Sequence, residues 1–171
     1  SCMFVTLYLG ILNLRDGTFL TTNAGDNQPL LRRQHGQFEW LTSQDGPLVG
    51  PMPGIAFKES MIQLAPGDEL FFYTDGVTEA DNIRRELFGN DRLKTVLDQS
   101  GAVSVVDRIG AVMNAVRNFA GDAAQADDIT MLGLRYHGVA PSNVATGIFH
   151  QSIPNRLPAI PILQMAFEHY V

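Results

Sequence analysis

Cysteine is nearly missing from this chain: among 171 residues there is one, Cys2. A single thiol excludes an internal disulfide and leaves no cysteine-based zinc site. Long apolar runs are missing too. No stretch approaches the roughly 18 residues that read as a membrane span, so no membrane partner is expected. Positive charge is scarce, with 12 Lys and Arg against 18 Asp and Glu and a net charge of −6. Without a basic stripe to displace counterions, nucleic acid is not an expected partner. The densest basic patch, Arg32, Arg33 and His35, reads as a solvated loop. The histidines at 35, 137, 150 and 169 share no metal-ligand spacing. The opening residues lack the basic start and small-residue cleavage site of a secretory signal. A reducing, cytoplasmic location is the default expectation.

What is present suits one domain with a short extension. Apolar residues make up 45% and charged residues 18%, enough to build a core under a soluble surface. Strand-like runs come first. Residues 3–14 are too apolar and β-branched for a tail and read as an interior strand, turning at Arg15-Asp16-Gly17 into a second strand over 18–23. Residues 28–33 and 37–41 form another hairpin around His35-Gly36. An ordered Gly/Pro-rich loop spans 45–54, and residues 56–64 and 69–73 flank 65–68 as one more hairpin. A period of 3.6 appears later, with Leu87, Leu93, Val96 and Leu97 on one helical face. A second helix carries Val106, Ile109, Val112, Val116 and Phe119, with Ser104 near its start. A strand from Ile129 to Leu134 follows. Hairpins, two helices and a closing strand predict an α+β fold. Residues 138–147 read as a linker. The tail over 148–171 contains three prolines and a candidate helix over 162–170, and it is either a docked arm or the opening of a second domain.

Two acidic clusters attach to the apolar runs. Leu70 to Tyr73 ends at Asp75-Gly76, and Asp127-Asp128 leads into the strand at Ile129. Carboxylates at the rim of a hydrophobic sheet suit hard divalent cations, which prefer oxygen ligands. Taken singly, such residues have plainer roles. An Asp-Gly after a strand is usually a turn. Glu79 and Asp81 read as solvated, and Asp68 as a hairpin residue. Trp40, Phe57, Phe71 and Phe72 read as core.

The order of motifs adds more. Asn23-Ala24-Gly25-Asp26-Asn27-Gln28-Pro29, Pro47-Leu48-Val49-Gly50, Leu64-Ala65-Pro66-Gly67-Asp68, Tyr73-Thr74-Asp75-Gly76-Val77-Thr78-Glu79-Ala80, Phe88-Gly89 and Ala126-Asp127-Asp128-Ile129-Thr130 occur in that order. Together they resemble the C-terminal portion of a PPM-type serine/threonine phosphatase domain of the SpoIIE, partner-switching class, over about residues 3–136. The resemblance implies an αββα sandwich with a two-metal site at one end, loaded with Mn²⁺ or Mg²⁺. It makes Asp75 and Asp127 metal ligands and Asp128 a less certain neighbour. Asp26 stands where the class usually has histidine; it is either an accessory ligand or a loop aspartate accepting backbone hydrogen bonds. The class's earlier aspartates, in patterns ending like D-x-x-G-H-G, have no match here. The domain is therefore expected to be partial over 1–137, and the isolated piece to turn over poorly. The implied substrate is a phosphoprotein, such as an anti-sigma-factor antagonist. Residues 149–157 are similar to the start of anti-sigma-factor-type kinase domains, so a downstream kinase domain and an upstream sensory domain are expected neighbours. A non-catalytic pseudophosphatase module and an unrelated β-rich ligand-binding domain are the competing readings.

Overall fold

The computed structural model describes residues 3–34, 36–43 and 45–138, together with the strand Gln164–Phe167. Among the described residues, eight strands and three helices run in the order β1 Leu7–Leu12, β2 Thr18–Ala24, β3 Leu30–Arg32, β4 Phe38–Trp40, β5 Ser60–Gln63, β6 Glu69–Tyr73, α1 Asp75–Thr78, α2 Gly89–Gln99, α3 Val105–Ala120, β7 Met131–Arg135 and β8 Gln164–Phe167. They form a three-stranded sheet, β1-β2-β5, and a five-stranded sheet, β4-β3-β6-β7-β8. All pairings are antiparallel except β7 with β8. The fold is α+β, as expected.

Alternation along the strands builds two cores. Phe19, Leu31, Leu64, Leu70 and Tyr136 are buried between the sheets, with Tyr8 and Phe72 packed against them. Tyr8 meets Phe72 edge-on at 5.5 Å between ring centroids, which ties β1 to β6 across the layers. Leu30, Phe38, Phe71, Val77, Leu93, Leu97 and the buried stripe of α3 fill the second core, between the large sheet and the helices. The described residues thus form three layers: small sheet, large sheet, helices.

Local chemistry sets the element ends. The β1–β2 turn closes with Gly17 at φ +76°, while the Asp16 carboxylate accepts the Thr18 N–H at 2.8 Å. Ser104 caps α3, accepting the Asp107 N–H at 3.0 Å and donating its hydroxyl to the Asp107 carboxylate at 2.8 Å. The loop from 45 to 54 is ordered by the buried Asp45, which accepts the Asn23 N–H and the Ser60 hydroxyl, each at 2.9 Å. Bridges from Ala24 to Gly46 and from Val5 to Val49 hold the same loop.

Five expectations need correction. The first strand is an edge among the described residues: β1 pairs with β2 alone, and Leu7, Leu9 and Ile11 are 45%, 50% and 62% exposed. Strands β5 and β6 are not a hairpin, because β5 pairs with β2 in one sheet and β6 lies between β3 and β7 in the other. The connection between them crosses layers, anchored by buried Asp68, which accepts from Ala65 N–H, Gln34 N–H and Arg33. Helix α2 starts at Gly89, so Leu87 lies outside it, bridged to Asp81 and exposed. In α3 the buried face runs through Val105, Ile109, Val112, Met113 and Val116, which turns Val106 outward. Gln164–Phe167 is a strand, not a helix, because the open edge of β7 offers it a parallel ladder from Met131 to Leu134. Cys2, His35, His150, His169, most of the expected linker and the kinase-like segment at 149–157 lie outside the described residues.

The basic patch is also not a simple solvated loop. Arg32 is largely buried and pairs with Glu69, while exposed Arg33 pairs with Asp68 at 2.6 Å. Glu69 also receives Arg108 Nε at 2.9 Å and Arg135 Nη2 at 3.2 Å. Three guanidinium groups thus surround one carboxylate at the start of β6. Arg108 further donates to the Leu97 and Gly101 carbonyls, at 3.0 and 2.8 Å, and to the Ser100 hydroxyl. The cluster fastens the last turn of α2 to the sheet, where basic groups answer the negative end of the helix. Asp81, expected to be solvated, has little exposed side chain and pairs with Arg85 at 2.7 Å. Among the described residues no helix is long and apolar enough to cross a membrane.

Candidate metal-binding rim of the large sheet

Register brings three loops to one end of the five-stranded sheet. Leu30 opens β3 opposite Phe71, and Tyr73 closes β6 opposite Met131 at the start of β7. The segments at 25–29, 74–76 and 126–130 therefore emerge on the same edge. Asp26, Asp75, Asp127 and Asp128 ride on these three segments.

Asp75 sits at the start of the four-residue helix α1, exposed, with its Oδ1 accepting the Gly76 N–H at 2.9 Å. Asp127 is arranged the same way: exposed, its Oδ1 accepting the Asp128 N–H at 2.7 Å. These bonds orient each carboxylate and leave its other oxygen outside them. The two loops touch through backbone and hydroxyl. Thr74 N–H donates to the Thr130 carbonyl at 3.0 Å, and Thr74 Oγ1 donates to the Asp128 carbonyl at 3.0 Å. The Thr130 N–H returns to Thr74 Oγ1 at 2.9 Å. Gly76 is needed at this contact, since a Cβ there would overlap the Asp128 carbonyl oxygen.

Asp26 stands in a tight turn after β2. Asn23 holds that turn twice: its Oδ1 accepts the Asp26 N–H at 2.8 Å and its Nδ2 donates to the Asp26 carbonyl at 3.1 Å. The Asp26 carboxylate accepts the Asn27 N–H at 2.8 Å, the same bond to the following amide that Asp75 and Asp127 make. Its charge also reaches the large sheet. Burial first, and the nearby Asp26 charge second, push the Tyr73 hydroxyl up to about 12.

The donor chemistry fits a hard divalent cation, since the groups offered are exposed carboxylate oxygens on strand ends. Their number does not complete a coordination sphere. Among the described residues, no three His, Cys, Asp or Glu side chains converge on one point. The sequence reading missed Thr74 and Gln125. The signal for Thr74 was its place between strand and aspartate; exposed Gln125, which donates to the Asp127 carbonyl at 2.8 Å, carried none.

Two facing antiparallel sheets with helices on the larger one are the arrangement of PP2C phosphatase domain structures. The fold is shared with the SiaA-PP2C domain of Pseudomonas aeruginosa, at TM-score 0.60 and 19% identity, over 70% of this chain and 46% of that one. It is shared equally with the phosphatase domain of the cell fate determinant SpoIIE from Bacillus subtilis, presoaked with Mn, at TM-score 0.60 and 19% identity over 80% and 59%. A structure of the RsbU and RsbW domains of Rv1364c from Mycobacterium tuberculosis gives TM-score 0.60 and 20% identity over 79% and 37%. The family described as Stage II sporulation protein E (SpoIIE) matches residues 1–137, and the chain belongs to that family. Protein IcfG of Synechocystis sp. is 31% identical over 132 residues, 77% of this chain. The chain spans 20% of the length of IcfG and 37–59% of those three solved chains.

Proposed function

We propose that this chain supplies one acidic face of a metal-dependent protein serine/threonine phosphatase of bacterial signalling, acting on a regulatory phosphoprotein such as an anti-sigma-factor antagonist. One observation carries the reading: the loops bearing Asp75 and Asp127 meet at a single strand end, tied by Thr74. Asp75 and Asp127 are the principal ligand residues, with Asp128 and Asp26 accessory. The proposed cofactor is Mn²⁺ or Mg²⁺, two ions in the complete site. A solved PstP catalytic domain of the same fold, at TM-score 0.53 and 13% identity, is described in complex with 2 manganese ions.

When bound, such ions neutralise phosphate charge and supply a water of lowered pKa. The chain's own contribution is positional. Asp75 and Asp127 hold oxygen ligands at the ends of hydrogen-bonded strands, in orientations fixed by their following amides. Their exposure leaves the rim open to a phosphorylated segment of another protein. No serine or cysteine nucleophile is required of the chain.

Residues 1–137 are proposed to be the C-terminal portion of the phosphatase domain, followed by a linker over 138–147. The pairing of Gln164–Phe167 with β7 supports an arm docked on this domain. The start of an anti-sigma-factor-type kinase domain over 148–171 is the second assignment.

The test is phosphate release from a phosphoserine peptide by the intact protein with Mn²⁺. Asp75→Asn is expected to lower turnover by more than the roughly 10- to 100-fold that loss of an outer-shell partner costs. Unchanged turnover in that variant refutes the assignment. Metal binding without any phosphate release instead makes the domain a non-catalytic module.

A further inference from the structure

We propose that Thr74 and Gln125 are positioning residues that hold the Asp127–Asp128 loop at a fixed distance from Asp75, so that the metal-ligating carboxylates are set before the ion arrives. The inference rests on the metal-dependent reading above. Its basis is the tie itself. The Thr74 hydroxyl both donates to the Asp128 carbonyl and accepts from the Thr130 amide, which uses its donor and one acceptor site on the same loop, 54 and 56 residues away in sequence. The Thr74 amide adds a third bond to that loop, through the Thr130 carbonyl. Gln125 fixes the other side of Asp127 through its carbonyl.

These bonds matter because the loop has little else to hold it. Residues 124–128 are exposed, and the first buried side chain is Ile129. An exposed loop that is ordered only on binding loses conformational freedom at that moment, and pre-ordering removes this cost. Close contact at Gly76 allows the loops to approach, and the hydroxyl sets where they stop. Valine at position 74 keeps the branched shape and deletes both hydroxyl bonds. Serine keeps both bonds and deletes only the methyl group.

The experiment is Mn²⁺ titration of the intact protein by calorimetry without substrate, paired with amide hydrogen exchange at Asp128 and Thr130 in the metal-free state. Thr74→Val is expected to weaken Mn²⁺ affinity by about 10- to 100-fold and to speed exchange at both amides. Thr74→Ser, which keeps both bonds, is expected to lose less than the roughly 10-fold lower limit of outer-shell effects. Gln125→Ala, at an exposed site, is expected to lose about 10-fold in affinity with an unchanged melting temperature. If folded Thr74→Val and Gln125→Ala both bind Mn²⁺ like the parent while Asp75→Asn does not, the positioning role is wrong and the metal site stands. If Asp75→Asn also binds like the parent, the functional reading itself falls. Should Thr74→Val fail to fold, Gln125→Ala decides: lost affinity at an unchanged melting temperature supports the tie, and parental affinity overturns it.

Discussion

Replacing Glu69 by glutamine should be among the most damaging isosteric changes in this domain. The side chain is 2% exposed and accepts from Arg32, Arg108 and Arg135. Glutamine keeps the volume, so no cavity forms. What changes is charge: three guanidinium groups lose their shared anion, and an amide NH₂ now faces at least one of them. Burial already pushes the Arg108 guanidinium below its ordinary range, Glu69 pulls it back up, and Arg32 and Arg135 push it down again. Removing one partner of a buried pair costs about 3–5 kcal/mol. Against a domain stability of about 5–15 kcal/mol, that is a large fraction. With a urea slope of about 2 kcal/mol/M, the midpoint should fall by about 1.5–2.5 M. Trp40, the sole tryptophan, lies in β4 of the large sheet with its ring 6.1 Å from Tyr73, and its fluorescence reports the transition. Arg135→Met, at the longer and more exposed contact, should cost less than Arg108→Met. The double variant Glu69→Gln/Arg108→Met should cost less than the sum of its singles. A loss below about 1 kcal/mol for Glu69→Gln, or strict additivity in the double variant, would refute the reasoning.

Three further outcomes follow from local geometry. Tyr73 has its folded pKa raised to about 12, so its contribution to stability is present below pH ~10 and is lost as pH climbs through 12. In an ultraviolet titration, Tyr73→Phe should remove the latest tyrosinate step and flatten that loss. Ser104→Ala removes the α3 cap and should cost about 1 kcal/mol by urea denaturation, with Ser104→Asp close to the parent. Gly133→Ala places a methyl group against Val105 Cγ1, where α3 rests on β7, and should cost about 1–3 kcal/mol by overpacking, read as a lowered melting temperature.

Local patterns in this sequence carried the strands and helices well. Alternation at Thr18–Ala24 and the apolar stripe of α3 each reflect one face meeting one core, and such faces are written in adjacent residues. The acidic rim was legible because Asp75 and Asp127 adjoin apolar strands. Pairing between distant segments was not legible. Nothing local distinguishes a β5–β6 hairpin from a crossing between sheets; that choice depends on the Thr18–Thr21 edge and on buried Asp68. Arg108 shows the same limit. A lone arginine on the buried side of α3 looks out of place until Glu69, 39 residues earlier, arrives beside it. Val105 replaces Val106 on the buried face of α3, one residue and about 100° away, while Ile109, Val112 and Val116 stay where the apolar pattern put them.

The outward face of the small sheet has a consequence for how residues there are valued. Leu7, Leu9 and Ile11 on β1 share it with Met61 on β5, which is 73% exposed, while the opposite face packs on the large sheet. In this chain Leu9 is 50% exposed, so Leu9→Ala gives up about half the burial of a core leucine and should cost about 1 kcal/mol. Wherever another layer lies over that face, the same truncation costs about 2–5 kcal/mol. A mutational scan of this chain would therefore undervalue the face. The worth of each leucine belongs to whatever stands above it, and only a scan made in both settings would measure it.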